Sequence, residues 1–418
     1  MKTSILSAVM FGVMVITTAC SNEDDSLMTG MEKSESREAC APTTTVLVYM
    51  AGRNDLSGAL MDDLSEIKRG SKNLRQNDNL IVFVRNNHEQ QPWVARIKDG
   101  LVTDSVSLSD LGIRSSDGEN RASDPAVMEG VMHYAFSHYP ATSGNYGLVI
   151  EGHGCGWLMK QEVSTIMCRA IAVDNGKKKL SSDGRWINIP TMAAILKNMP
   201  HLRFIMTDCC NMMCLENLYE LRNVCDYMIG SPAEIPAPGA PYDLIVPDMF
   251  SQSETFYANI TGKYYNRLAG GLPLVAVKTS EMEKVAQATR IALLSVREEL
   301  AGRYPDMKGI IHYYHTNTGN DFLPEYNIFY DAGDFMQRYA PADVYRQWKQ
   351  VLNQAIVECH MATFWDTDKN WQMKYADFIV TEEKFHGVSM FVPQDPDKGD
   401  YSQYNEDIKQ MAWYAATM

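Results

Sequence analysis

The sequence predicts an α/β fold in which helices cover both faces of a mostly parallel sheet. Residues 46–50 and 80–84 are continuous apolar runs, which is the pattern of parallel strands buried on both faces. Residues 56–68 between them carry leucine and isoleucine at helical spacing, so this stretch supplies the crossover helix that joins two parallel strands. Strands that alternate with helices in this way favour a sheet covered on both sides.

Further elements continue this alternation along the chain. Residues 231–242 contain four prolines, so they are predicted to form a rigid loop. Residues 44–300 are expected to form the core, and residues 301–418, which mix helical and strand patterns, an α+β extension packed on it. Strands are predicted at 93–98, 146–152, 202–210, 224–229 and 272–277, and helices at 125–138, 211–221 and 280–300.

The N-terminal residues are predicted to lie outside the fold. Residues 1–19 combine a basic start with an apolar run too short to span a membrane, which is typical of a secretory signal peptide. Residues 20–43 are polar and acidic and are predicted to be a flexible tether. The residues around Cys20 resemble a bacterial lipobox followed by the export tag of Bacteroidetes surface lipoproteins, which implies lipidation and anchoring to the outer membrane. The alternative is an ordinary signal peptide with an incidental cysteine.

Charge and composition exclude several classes of function. The chain of 418 residues has a net charge of −14 and no long run of Lys or Arg, which argues against nucleic-acid binding. No Cys-x-x-Cys or His-Glu-x-x-His pattern is present, so neither a metal site nor another cofactor is predicted. The spacing of the nine cysteines indicates no disulfide framework, and Cys155 is expected to be a space-filling thiol.

A histidine and a cysteine lie at the ends of two of the predicted strands. His153 comes where the apolar run of strand 146–152 breaks, and Cys210 comes after the apolar run of the second strand and ends that strand, 202–210. Ligands of an open parallel sheet meet the carboxyl ends of its strands, so these two side chains are expected to converge. A histidine beside a cysteine is the minimal apparatus of a thiol nucleophile. We expect Cys210 to be the nucleophile and His153 the general base and acid of a dyad, without a third member.

The segments around these two residues resemble those of clostripain-like cysteine peptidases, a family grouped with caspases, gingipains and legumain. Residues 149–157, Val-Ile-Glu-Gly-His-Gly-Cys-Gly-Trp, are similar to the family's strand-His-Gly segment, and residues 208–216 are similar to its Asp-x-Cys-x-Met-x-x-x-Glu segment. The resemblance implies a caspase-like α/β/α sandwich and a cysteine endopeptidase that acts on polypeptides. Other landmarks follow in the same order, at 45–56, 123–125, 169–174, 230–234 and 387–393.

Cys209 competes with Cys210 for the role of nucleophile. Successive side chains of an extended segment point to opposite faces, so only one of the two can face His153. The Asp-x-Cys spacing of the family selects Cys210. The same resemblance implies that the backbone N–H groups of Gly154 and Cys210 stabilise the oxyanion of the reaction intermediate.

The substrate pocket is where this sequence departs from the family. Members that cleave after Arg or Lys carry an acidic residue at the position where this chain has Pro238. Asp208, Glu234 or Asp243 could replace that acid, although Asp208 is equally consistent with a structural turn residue. Together with Ser231, Asp208, Glu234 and Pro238 are the expected substrate contacts. A strong preference for Arg or Lys at P1, the residue before the cleaved bond, is not expected.

Family members often mature by cleavage between the histidine and cysteine strands. Arg169 resembles the processed position and Lys179 ends the most accessible basic stretch, so both are candidates for self-cleavage. The chain is thus predicted to be an exported cysteine endopeptidase, and its sequence specifies no oligomeric state. Two alternatives are a catalytically weak relative that binds peptides or partners, and a cysteine hydrolase of non-peptide amides.

Overall fold

The structure is a computed structural model that describes most of the chain after Pro42. Several predicted features lie outside the described residues: the signal peptide, the candidate lipidation residue Cys20, and the self-cleavage candidates Arg169 and Lys179. The described residues are 43–88, 91–115, 117–142, 144–159, 170–177, 184–313, 327–365, 377–398 and 401–418.

Strands and helices alternate through most of the described chain. The strands are β1 (Thr45–Ala51), β2 (Asn79–Arg85), β3 (Trp93–Lys98), β4 (Leu101–Ser107), β5 (Tyr146–Gly152), β6 (Ile171–Asp174), β7 (Arg185–Ile187), β8 (Leu202–Asp208), β9 (Cys225–Gly230), β10 (Leu274–Lys278), β11 (Tyr330–Asp331), β12 (Ile356–His360) and β13 (Ser389–Met390). The helices are α1 (Ser57–Ser71), α2 (Pro125–His138), α3 (Ile189–Leu196), α4 (Leu215–Glu220), α5 (Tyr242–Met249), α6 (Phe256–Arg267), α7 (Met282–Leu300), α8 (Ala332–Tyr339), α9 (Ala342–Ala355), α10 (Tyr401–Asp407) and α11 (Ala412–Thr417).

The main sheet, as far as the chain is described, has nine strands in the order β12-β10-β9-β8-β5-β1-β2-β3-β4. Its central strands β9, β8, β5, β1 and β2 run parallel. The hairpin of β3 and β4 extends one side antiparallel, and β10 and β12 extend the other. The predicted mostly parallel sheet flanked by helices is confirmed.

Two hydrophobic cores cover the two faces of this sheet. Leu47 and Tyr49 of β1 pack into one core, whereas Val48 and Met50 pack into the other. Each of these four side chains is at most 1% exposed, which explains why the sequence of the strand is apolar without interruption. Helices α2, α3, α4 and α7 cover the first face, and α1, α5 and α6 cover the second.

Strands β5 and β8 lie side by side, with Glu151 opposite Asp208. His153 and Cys210 each follow that pair by two residues, so both leave their strands at the same edge of the sheet. Since the strands are parallel, this edge is formed by their carboxyl ends, where side chains from several strands can meet.

The helix predicted at 211–221 begins later than expected, at Leu215. Asn211 has a left-handed backbone with φ of 59°, and its side-chain amide donates to the carbonyls of Pro232 and Tyr313 at 3.0 and 3.1 Å. The helical spacing of the sequence is not realised in this turn, because asparagine hydrogen bonds compete with those of a helix.

Residues beyond 300 extend the main sheet as well as packing on it. Strand β12 pairs with β10, and helices α9 and α11 pack against α7. The boundary between core and extension at residue 300 coincides with the end of α7 and stays a prediction. None of the helices in the described part of the chain is long and apolar enough to cross a membrane.

Candidate active site

His153 and Cys210 lie at the edge where β5 and β8 end, and both are partly buried. The imidazole of His153 is 38% exposed. The sulfur of Cys210 accepts a hydrogen bond from the Ile235 N–H at 3.3 Å, so the loop after β9 covers it. No hydrogen bond joins the sulfur to the imidazole in the described residues. Such bonds are often long in unliganded enzymes and tighten in the substrate complex.

The two adjacent cysteines point to opposite faces of the sheet. Cys209 is 1% exposed and its thiol donates to the Ile150 carbonyl at 3.4 Å, inside the core on the α2 face. Burial raises the pKa of Cys209 well above its usual range. Cys210 instead faces the proline-rich loop 231–241. Of the two thiols, Cys210 is therefore the one within reach of a substrate.

The surroundings of Cys210 favour the protonated thiol over the thiolate. Burial and, to a smaller extent, the negative charge of Glu234 raise the pKa of Cys210 to about 12, although the hydrogen bond from Ile235 opposes the rise. Because the thiolate and not the thiol is the nucleophile, attack by Cys210 requires a base that removes this proton.

Gly154 packs directly against the backbone around Cys210. A Cβ atom at Gly154 would lie 2.7 Å from Cys209 Cβ and 3.2 Å from the Cys210 carbonyl oxygen, so the backbone can come this close only at a glycine. The Cys155 N–H donates to the Ala170 carbonyl at 2.8 Å, which ties the loop to the start of β6. Over the described residues, the N–H groups of Gly154 and Cys210 donate to no backbone carbonyl.

Asp208, at the end of β8, is held by three hydrogen bonds. Its Oδ2 accepts from the Ala240 N–H at 2.9 Å and from the Tyr242 hydroxyl at 3.1 Å. Its Oδ1 accepts from the Tyr264 hydroxyl at 2.7 Å. Burial raises the pKa of Asp208, and these three donors oppose the rise. Asp208 thus ties the loop 231–241 to the sheet, and pairing with a substrate cation would disturb these bonds.

Three of the expected substrate contacts lie on the loop 231–241. Ser231 is fully buried, and its hydroxyl accepts from a backbone N–H two residues further on at 3.0 Å. Pro238 is exposed, in a turn of the loop. Glu234 is partly exposed and is close enough for its charge to act on the thiol of Cys210. Of these three residues, Glu234 carries the only charge near the sulfur.

Asp243, the other candidate acid, lies in the first turn of α5. Burial raises the pKa of Glu66 in α1, and the charge of Asp243 raises it further. Asp243 therefore acts electrostatically on a residue of α1, which makes it a weaker candidate for the pocket acid than Glu234.

Sequence analysis did not single out Asp55, which meets His153 in the structure. Asp55 Oδ1 lies 2.7 Å from His153 Nε2. Asp55 belongs to the loop after β1, and β1 is the direct neighbour of β5 in the sheet. One indication was available in the sequence: Asp55 lies just beyond a buried strand, and the same kind of position identified His153 and Cys210.

The state of Cys155 differs from the free thiol that the sequence predicts. It is disulfide-bonded, and its partner lies outside the described residues, since the other cysteines that the structure describes are free. The prediction of a space-filling thiol is therefore wrong, because sequence spacing does not reveal which cysteines the fold brings together. No group of three or more His, Cys, Asp or Glu side chains in the described ranges is arranged to hold a metal ion.

Most of the chain matches a known protein family. A sequence profile of the clostripain family, Peptidase_C11, matches residues 48–418. The chain belongs to the clostripain family. A search of curated proteins finds no match. Since the family is one of cysteine peptidases and the solved relatives below are C11 proteases, this clostripain-family chain is a cysteine endopeptidase.

Solved structures of relatives are similar over nearly the whole length. A secreted C11 cysteine protease from Bacteroides thetaiotaomicron, in complex with an irreversible peptide inhibitor, is 28% identical with a TM-score of 0.68, over 90% of this chain and 98% of that chain. An inactive zymogen C11 protease from Parabacteroides distasonis is 26% identical with a TM-score of 0.69, over 90% and 97%. These similarities confirm the caspase-like arrangement of sheet and helices.

One prediction for this clostripain-family enzyme concerns Glu234. Glu234→Gln removes a negative charge that opposes ionisation of Cys210, so the pKa of Cys210 is expected to fall. Alkylation of Cys210 by iodoacetamide at pH 8, followed by mass spectrometry of the labelled peptide, should then be roughly threefold to tenfold faster. Glu299→Gln, an exposed change on α7, serves as the control. Equal alkylation rates in the Glu234 variant and the wild type would show that the charge of Glu234 does not act on the thiol of Cys210.

Two further carboxyl groups are buried behind the sheet edge. Glu151 of β5 is 2% exposed, and Asp63 of α1 is 5% exposed. Burial raises the pKa of Glu151 well above its usual range, and the charge of Asp63 raises it further. Burial likewise raises the pKa of Asp63 to about 7. At least one proton is therefore held in this pair near neutral pH.

We expect this pair to make the stability of the enzyme depend on pH. A carboxyl group with a raised pKa binds its proton more tightly in the folded state, so its contribution is complete below about pH 4 and is lost as the pH rises through about 7. Glu151→Gln should therefore raise the free energy of unfolding at pH 8 by about 1–3 kcal/mol and change it little at pH 5. Urea unfolding at pH 5 and at pH 8 measures this change in the free energy of unfolding, and the exposed change Glu129→Gln serves as the control. A variant with the wild-type pH dependence would show that the pair is not linked to folding.

Proposed function

We propose that the enzyme hydrolyses peptide bonds with a dyad of His153 and Cys210, and that it is exported and anchored by a lipid. The observation that supports the dyad is the arrangement at one edge of the sheet. His153 and Cys210 leave adjacent parallel strands side by side, and Gly154 packs against the backbone of Cys210. This arrangement supplies a base, a nucleophile and two N–H groups that, over the described residues, donate to no backbone carbonyl.

The proposed reaction proceeds through a covalent intermediate. His153 takes the proton of the Cys210 thiol as the sulfur attacks the carbonyl carbon of the substrate. The negative oxygen of the tetrahedral intermediate accepts hydrogen bonds from the N–H groups of Gly154 and Cys210. His153 then gives its proton to the leaving amine, and a thioester remains on Cys210. Water, deprotonated by His153, attacks the thioester, which releases the carboxylic acid and regenerates the thiol.

The direct test combines substrates with an irreversible peptidyl electrophile. The purified enzyme should hydrolyse fluorogenic peptides and become labelled at Cys210, as shown by mass spectrometry, and His153→Ala should lose both activities. Binding of peptides without hydrolysis would support a catalytically weak relative. Hydrolysis of simple amides but not of peptides would indicate a cysteine hydrolase of another substrate class. Either result would contradict the proposed dyad peptidase.

Loop 231–241 is the proposed wall of the substrate pocket. Glu234 and Pro238 both reach solvent, and the charge of Glu234 acts on the thiol of Cys210. Asp208 holds the loop through the Ala240 N–H. Ser231 is buried, so it contributes through the shape of the loop more than through its hydroxyl. The proposed pocket therefore has one partly exposed acid near the sulfur, at a position other than that of the family acid.

Export and lipid attachment rest on the N-terminal sequence. Residues 1–19 have the pattern of a signal peptide, and Cys20 has the small residues of a lipobox before it. The similar protease from Bacteroides thetaiotaomicron is described as secreted. Cys20→Ser should move the enzyme from the membrane fraction to the soluble fraction of the cells that export it. A protein that stays with the membranes would argue against the lipid anchor.

A further inference from the structure

We propose that Asp55 is a positioning residue for catalysis, which holds the imidazole of His153 so that its Nδ1 atom takes the proton from Cys210. This inference rests on the proposed dyad and adds to it a third side chain from a third strand. The observation that carries it is the 2.7 Å contact between Asp55 Oδ1 and His153 Nε2. The two residues are 98 positions apart, so the fold and not local sequence brings them together.

The loop that carries Asp55 is fixed by hydrogen bonds just before this residue. Gly52 donates its N–H to the Arg85 carbonyl at 2.7 Å, and Arg53 Nε donates to the Gly176 carbonyl at 2.8 Å. Both bonds join the loop after β1 to neighbouring strand ends. The carboxylate of Asp55 is thus presented at a defined place, although it is 80% exposed itself.

Asn54 adds three more bonds next to Asp55. Its side-chain amide donates to the carbonyls of Ala51 and Val173 at 3.0 and 2.8 Å. Its side-chain oxygen accepts from the Leu56 N–H at 2.9 Å. Asn54 is 3% exposed, so these bonds are shielded from water. A loop held in this way distinguishes Asp55 from an ordinary surface ion pair, whose flexible partners gain little from their contact.

The chemistry follows from the two nitrogen atoms of the imidazole. In a neutral histidine one ring nitrogen carries the proton, and the hydrogen bond that it makes decides which one. A carboxylate can only accept, so the contact with Asp55 places the proton on Nε2 and leaves the lone pair on Nδ1. When Nδ1 takes the thiol proton, the negative charge of Asp55 stabilises the imidazolium that forms, as the aspartate of a catalytic triad does.

The exposure of Asp55 limits the expected size of its effect. A buried aspartate in a triad contributes about 10⁴-fold, whereas a solvent-exposed carboxylate is screened by water and salt. We therefore expect Asp55→Ala to lower kcat about tenfold to a hundredfold with KM within about threefold of the wild type. Asp55→Glu, which keeps the charge, should recover part of the loss.

The experiment compares these variants with a matched control and with a direct measure of the imidazole. Asp62→Asn removes another exposed carboxylate from α1, and its kcat should equal that of the wild type. Nitrogen NMR of ¹⁵N-histidine-labelled enzyme should show the His153 proton on Nε2 in the wild type and a shift toward the Nδ1 tautomer in Asp55→Ala. In a His153→Ala background, Asp55→Ala should change the residual rate no further.

Different outcomes overturn the two proposals. Wild-type kcat in Asp55→Ala, or an unchanged tautomer, would overturn the positioning role while the dyad stands. Full activity in His153→Ala would overturn the proposed function itself. Asp55→Ala could lose activity and also unfold at a lower temperature than Asp62→Asn. In that case the tautomer of His153 in Asp55→Ala, measured below the unfolding temperature, decides between the two explanations. A wild-type tautomer there overturns the inference.

Discussion

Cys210→Ala is expected to abolish peptide hydrolysis, whereas Cys209→Ala is expected to retain it. The loss at Cys210 should be at least about 10⁴-fold in kcat, since removing a nucleophile leaves only the contribution of binding and of the oxyanion donors. Cys209 lies in the core on the opposite face of the sheet, where its thiol donates to the Ile150 carbonyl. Its replacement by alanine removes one sulfur atom from a packed site and should cost stability more than activity.

The measurement is kcat with a fluorogenic peptide, together with gel electrophoresis of the purified protein. Any self-cleavage at Arg169 or Lys179 should disappear in Cys210→Ala and persist in Cys209→Ala. Thermal unfolding of both variants guards against a simple folding defect. An inactive Cys209 variant beside an active Cys210 variant would mean that the nucleophile is the other cysteine.

The preference for the P1 residue is expected to differ from a strong Arg or Lys preference. An arginine side chain in a pocket without a paired carboxylate is desolvated and unpaired, which costs roughly several kcal/mol. Pro238 stands at the position of the family acid and brings no charge. Asp208 already accepts three hydrogen bonds, and Asp243 acts on Glu66 of α1.

The deciding quantity is kcat/KM for peptides with Arg, Ala or Gln at P1. We expect the advantage of Arg to remain below about a hundredfold, which corresponds to roughly 2.7 kcal/mol of transition-state stabilisation. A larger advantage would show that another carboxylate serves as the pocket base. Glu234→Ala should then be tested first, because Glu234 acts on the thiol of Cys210, followed by Asp208→Ala and Asp243→Ala.

The sequence by itself determined the strands and the residues at their ends. A strand buried on both faces needs a continuous apolar run, so the apolar residues of β1 and β2 by themselves predict that both strands are buried in the cores. His153 and Cys210 could be located because each directly follows such a run. The ordered segments around both residues resemble those of cysteine peptidases, and this resemblance indicated the reaction that we propose for the two residues. The match over residues 48–418 confirmed the family.

Only the tertiary structure decided which distant side chains meet at that edge. The contact between Asp55 and His153, the three donors on Asp208 and the buried pair of Glu151 with Asp63 all join residues from different elements. Such contacts depend on sheet order and register, which local periodicity does not encode. The turn at Asn211 is a second case that local periodicity does not predict. The apolar residues of 211–221 have helical spacing, but hydrogen bonds to Pro232 and to a tyrosine 102 residues away hold Asn211 in a left-handed conformation. The roles of these groups are set by burial and by partners from elsewhere in the chain, and both exist only after folding.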